Sequence, residues 1–193
     1  MGVFENISIP GHEMVNFFQD EAVGLRSIIA VHNSTLGPTC GGLRIWPYES
    51  EEAALQDVLN LSRAMTYKSA MADLELGGGK AVIWLDQNQT KTEELIRSYA
   101  KFLDTLGGKY ITTTDVGSDV NDLQWISKET NHVVGLPVDQ GGSGDTSIMT
   151  GLGVYLGMKA CAKHLWGSES LKGKTVAFQG FGKVAKQAAI HLA

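Results

Sequence analysis

The sequence predicts an α/β fold: a layered domain of helices on a sheet, followed by the opening of a second unit of the parallel-sheet kind. Two observations carry that expectation. Short apolar, β-branched runs alternate with segments of helical 3/4 spacing along most of the chain. Residues 174–179 then run straight into Gly180-x-Gly182-x-x-Ala185, the strand, glycine turn and helix start of a dinucleotide-binding fingerprint.

The elements follow in order. Residues 25–31 (LRSIIAV) read as a strand, and the Gly-Pro-Thr-Cys-Gly-Gly stretch at 37–42 reads as a loop. Trp46-Pro47-Tyr48 reads as a packing corner. Ser50 caps a long helix with Glu51 and Glu52 in its first turn, where carboxylates complement the helix dipole. Leu55, Val58, Leu59, Ser62 and Met65 fall on one buried face of that helix. Lys80 opens a strand at 81–85, and Thr90 with Glu93 reads as a capping box for a helix that stops at Gly107-Gly108. A buried strand at 110–113 leads into Thr114-Asp115-Val116-Gly117, then a helix over 118–130 and a short strand at Val133-Val134. The aperiodic stretch 135–146 is the expected junction between domains, and a helix over 147–166 follows it. The boundaries expected are therefore 1–146 and 147–193, with only the first strand–helix unit of the second domain in this sequence.

Composition narrows the function. The chain has 193 residues, is 43% hydrophobic and carries a formal net charge of −5. It has no lysine- or arginine-rich run, so nucleic acid and anionic membrane are poor partners. No apolar run approaches the roughly 20 residues of a membrane span, and no basic leader with an apolar core opens the sequence. Cys40 and Cys161 lack metal or redox spacing, which points to a reducing compartment and a cytoplasmic protein. His32, His132 and His164 lack ligand spacing to each other or to acidic neighbours, so no metal site is expected.

The residues suited to chemistry are Lys68, Lys80 and Asp115. Lys80 follows Gly77-Gly78-Gly79, a triple glycine expected where a turn with positive φ brings backbone against a ligand. Taken singly, Lys68 also reads as a solvated lysine near a helix end, and Asp115 as a carboxylate before a helix start. Together, two ammoniums and a carboxylate match an amino acid in charge. One lysine can grip its carboxylate, the aspartate can face its amino group, and the second lysine is left for proton transfer.

Five motifs in this order, spread over nearly the whole chain, carry a resemblance. They are Gly41-Gly42-Leu43-Arg44, Met65-Thr66-Tyr67-Lys68, Gly77-Gly78-Gly79-Lys80, Thr114-Asp115-Val116-Gly117 and Gly180-x-Gly182-x-x-Ala185. The chain resembles the amino acid dehydrogenases acting on glutamate, leucine, phenylalanine and valine, and within them the leucine/phenylalanine/valine branch. The resemblance implies a catalytic domain of three layers with a mixed sheet, which also serves oligomerisation. The start of a Rossmann dinucleotide-binding domain would follow it. It implies reversible NAD-dependent oxidative deamination of a hydrophobic L-amino acid to the 2-oxo acid and ammonia, by a homo-oligomer. By the same resemblance Lys80 is the catalytic base, Asp115 exchanges protons with the amine, and Lys68 binds the carboxylate beside Gly41 and Gly42. Cys40, Met65 and Val134 border the substrate, with Cys40 where that branch carries an aliphatic residue and Val134 where it carries threonine. Gly180, Phe181, Gly182, Lys183, Val184, Ala185 and Thr150 contact the cofactor. Lys183 stands in place of a common asparagine and leaves NADP open beside NAD. Burial and a like-charged Lys68 would lower the pKa of Lys80 while Asp115 would raise it, and the sequence does not fix the sum. The alternative reading is an inactive fragment that binds amino acid or self-associates.

Overall fold

Strand β2 (Leu25–Asn33) shows how the layers arise. Its side chains alternate between two hydrophobic clusters: Leu25, Ile29 and Val31 enter one, Ile28 and Ala30 the other. Helices must therefore cover both faces of the sheet. The computed structural model describes residues 11–193, so the first ten residues of the expected first domain lie outside it. Five strands form one mixed sheet: β1 (Met14–Asp20), β2, β3 (Thr39–Trp46), β4 (Gly77–Trp84) and β5 (Tyr110–Thr114), in the order β1-β2-β4-β3-β5. The β1/β2 and β2/β4 pairs are antiparallel, and β4/β3 and β3/β5 are parallel.

Helix α1 (Glu51–Met71) covers one face through Ala54, Val58 and Leu59. Fully burying a side chain such as Val58 or Leu59 contributes roughly 1.5–3 kcal/mol. Ser50 caps α1 as expected, accepting from the Ala53 amide at 3.1 Å. The opposite face carries α2 (Glu93–Asp104) and α3 (Val120–Ile126), with Leu95, Tyr99, Leu103, Leu123 and Ile126 in its core. This is the three-layer α/β architecture with a mixed sheet that the sequence predicts.

Several elements differ from expectation. Strand β1 was not foreseen; it is an edge strand with a mixed polar and apolar pattern and an exposed Phe17. The expected loop at 37–42 ends inside β3, because Gly41 and Gly42 sit in the parallel ladder opposite Thr112 and Thr113. The triple glycine is likewise no turn but the first half of β4, and none of its residues has positive φ. The cap of α2 is Thr92 rather than Thr90, accepting from the Leu95 amide. Helix α3 starts two residues later than expected and stops four earlier, with Asp119 and Asp122 forming its capping box. Val133 makes a single parallel bridge to Thr112 rather than a strand with Val134.

The chain divides into two compact units between Gly142 and Ser143. The second unit holds α4 (Thr146–Trp166) and α5 (Lys183–Leu192), which pack together closely where Gly151 meets Gln187 and Ala188. Residues 174–179 form no strand, since no described segment pairs with them.

Candidate functional site

Lys80 lies in β4 with its backbone paired to Ala30 of β2. Period two places it with Gly78 and Val82 on the face that α1 covers. Its side chain is only 6% exposed, yet its ammonium has a partner: Nζ donates to Oδ2 of Asp115 at 2.8 Å. Asp115 is delivered by the turn that leaves β5. Its amide donates to Ser118 Oγ at 2.8 Å, and that hydroxyl donates to the Leu43 carbonyl at 2.6 Å, tying the turn to β3.

The glycines are where they are because the chain has no room for anything else. A Cβ on Gly42 would lie 2.6 Å from Asp115 Cβ and 3.2 Å from Lys80 Nζ, and one on Gly41 would collide with the Gly79 carbonyl. On Gly78 it would strike the Thr66 backbone, and on Gly79 it would lie 2.6 Å from the Tyr110 ring. The glycine run thus lets α1, β4 and β3 close together around Lys80. It needs the missing Cβ and not positive φ.

Electrostatics settle the sum the sequence left open. Burial lowers the pKa of Lys80 below the ordinary lysine value. The hydrogen bond and charge of Asp115 oppose this, and the Arg44 guanidinium adds to it. The like charge that lowers the Lys80 pKa is Arg44. Asp115 feels burial pushing its pKa up, but Lys80 and Arg44 outweigh this and hold it below the usual carboxylate range. The site pairs an amine shifted toward neutrality with a carboxylate held ionised, so both groups are in the form that can take up a proton.

The other expected residues are placed as follows. Lys68 is exposed on the last turn of α1 and takes no part in the Lys80–Asp115 pair. Met65 is half-buried on the same helix. Cys40 is half-buried in β3 directly before Gly41, and burial raises its thiol pKa. Val134 is exposed beyond its neighbour's bridge to β5. In the second unit, Thr150 donates to the Thr146 carbonyl within α4, and Phe181 is exposed against Phe178.

Gly180 has φ +86°, and Gly182 is the N-cap of α5 with no side-chain cap bond. A Cβ at either position would meet nothing within 4 Å. Lys183, Val184 and Ala185 form the first turn of α5, whose leading amides have no side-chain acceptor. Such an open helix N-terminus fits a pyrophosphate, so the residues present suit a dinucleotide.

Three residues were missed by sequence reasoning. Arg44 donates through Nε to Asp115 Oδ2 at 3.0 Å and through Nη1 to Asp57 Oδ2 at 2.8 Å. Tyr48 is no mere packing corner, since its hydroxyl donates to the same Asp57 oxygen at 2.6 Å. Only the presence of Arg44 in the Gly41-Gly42-Leu43-Arg44 motif hinted at this. The histidines also pair more than their spacing suggested. His32 hydrogen-bonds Thr66 at 2.8 Å and lies edge-on to His12, while His132 stands 4.0 Å from Asp104. Among the described residues no group of three or more His, Cys, Asp or Glu is placed to hold a metal ion.

Comparison with known proteins adds to this geometry. Residues 12–132 match the family model described as Glu/Leu/Phe/Val dehydrogenase, dimerisation domain, and residues 141–193 match that of Glutamate/Leucine/Phenylalanine/Valine dehydrogenase. Valine dehydrogenase of Streptomyces virginiae is 48% identical over 182 residues, 94% of this chain and 51% of that protein. Leucine dehydrogenase of Bacillus subtilis is 48% identical over 192 residues, 100% of this chain and 53% of that protein. The solved structure of L-tryptophan dehydrogenase from Nostoc punctiforme superposes with a TM-score of 0.73 at 44% identity, covering 98% of this chain and 54% of that one. The chain spans about half the length of the relatives it matches.

Proposed function

This chain belongs to the Glu/Leu/Phe/Val dehydrogenase family, and from that premise we propose that its protein oxidatively deaminates a hydrophobic L-amino acid of leucine, valine or phenylalanine type. The products are the 2-oxo acid and ammonia, reversibly. The observation that carries the reading is the pair of buried Lys80 and half-buried Asp115, with an amine tuned toward neutrality beside an ionised carboxylate.

In this reading Lys68 takes the substrate carboxylate, with backbone at Gly41 and Gly42 beside it. Asp115 accepts a proton from the substrate ammonium, so that nitrogen can share its lone pair with Cα as the Cα–H bond breaks. NAD, held by residues Gly180 to Ala185 and Thr150, supplies the hydride acceptor when bound. Lys80 then takes a proton from the water that adds to the imino carbon, and proton return to nitrogen lets ammonia leave. Cys40, Met65 and Val134 border the substrate side chain. The protein acts as a homo-oligomer in the cytoplasm, assembled through the part that matches the dimerisation-domain description.

The test is reduced-nicotinamide formation by the purified protein, with NAD or NADP and a panel of aliphatic and aromatic L-amino acids. Turnover with at least one hydrophobic amino acid is expected, and none with any of them would refute the reading. The half-length match motivates a second reading, in which residues 1–193 alone bind amino acid or associate without turnover. Sustained turnover by those residues alone would eliminate it.

A further inference from the structure

One carboxylate oxygen holds two cations. Lys80 Nζ and Arg44 Nε both donate to Oδ2 of Asp115, at 2.8 and 3.0 Å, and Oδ1 receives neither. Arg44 is itself anchored: its Nη1 donates to Asp57 of α1, whose oxygen is also bonded by Tyr48. The result is a line of contacts from Tyr48 through Asp57, Arg44 and Asp115 to Lys80, joining α1, β3, β4 and the turn after β5. The Arg44 and Asp57 side chains are 24% and 28% exposed, so these bonds are partly shielded from water.

We propose that Arg44 is a positioning residue for the deamination: by gripping the oxygen that Lys80 also uses, it stops Asp115 from closing on Lys80 as an exclusive ion pair. The proposal rests on the dehydrogenase reading above. The physical need is clear from the two roles in that reading. A base sealed to a full counter-ion is held protonated, and a carboxylate turned wholly to its lysine is turned from the substrate amine. An arginine suits the task because it stays charged at any working pH and its planar fork bonds two carboxylates at once. A lysine at 44 could give the charge but not both directions.

The charged and titratable groups around Lys80 can be named. Asp115 and Asp57 raise its pKa, and burial and Arg44 lower it. Tyr48, Tyr110 and Cys40 all have raised pKa values and stay neutral at working pH. Arg44 is thus the cation that weighs against the two carboxylates. Without it, burial alone opposes the two carboxylates and the lysine keeps its proton to higher pH.

Competitive acetylation of the Lys80 amine over a pH series, read by mass spectrometry, tests this without turnover or cofactor. In Arg44→Gln the half-reaction pH should rise by roughly one unit, the scale of one lost neighbouring charge. Asp57→Ala, which keeps Arg44 but removes its anchor, should lower kcat by reducing the alignment of Asp115, and Arg44→Lys should restore the acetylation midpoint better than the alignment. An unchanged or lowered midpoint in Arg44→Gln overturns the proposal. Should Arg44→Gln not fold, an Asp57→Ala protein with wild-type kcat and pH profile overturns it instead. Lys80→Ala turnover is read separately, and full activity there removes the dehydrogenase reading rather than the clamp.

Discussion

Around Lys80, the glycines at 41, 42, 78 and 79 are pressed by the chain's own atoms, whereas Gly180 and Gly182 before α5 have open space where a Cβ would stand. The charges differ in the same way. Lys80, Asp115, Arg44 and Asp57 bond one another, while Gly182 caps α5 with no side-chain acceptor for the helix amides. Glycine therefore has two uses in one chain. In the first unit it lets protein meet protein, and the space it saves is already filled. In the second it leaves the leading amides of α5 without a side-chain acceptor, which is what the proposed dinucleotide role would use. A glycine-rich motif by itself does not say which of these it is.

Mutations can break this contrast, the largest effect coming from the filled site. Asp115→Asn should lower kcat by about 10²- to 10⁴-fold, as expected for a lost proton-transfer group. It should also lower the pKa of Lys80 further, because the anion that supports its charge is gone. The pKa of Asp115 is depressed in the fold, so its stabilising contribution is complete above its ordinary value of 3.8 and is lost as pH falls through the folded value. Denaturation of wild type and Asp115→Asn should accordingly differ less as pH drops below 3.8.

Next comes Gly78→Ala, whose methyl would overlap the Thr66 backbone of α1. It should cost about 3 kcal/mol of stability, read as a lower denaturation midpoint, because backbone cannot step aside as a flexible side chain can. The smallest effect belongs to Gly182→Ala. With φ −82° and nothing within 4 Å, it should change stability by less than about 1 kcal/mol, while raising KM for the dinucleotide. Equal stability losses at 78 and 182 would erase the distinction.

Much of the fold was legible. The Ser50 cap, the strand at β2 and the strand at β5 follow from local rules. What local rules missed depends on partners distant in sequence. Gly41 and Gly42 read as loop because glycine weakens a strand, and only the close packing of β3 on β4 and β5 explains them there. Strand β1 lies at an edge, where half of each residue faces water and the pattern is blurred. Residues 174–179 have strand composition, but a strand needs a neighbour to bond. The site was legible as Lys80 with Asp115 yet not as a network. Arg44 and Asp115 are 71 residues apart, and nothing in their spacing announces a shared oxygen.

The central claim is that Lys80 is a base, not a buried structural cation. Steady-state turnover of Lys80→Ala in the complete protein, with its fold checked by circular dichroism, tests this most directly. A fall in kcat of at least about 10²-fold with the fold retained is the predicted result. Turnover near that of wild type would contradict it.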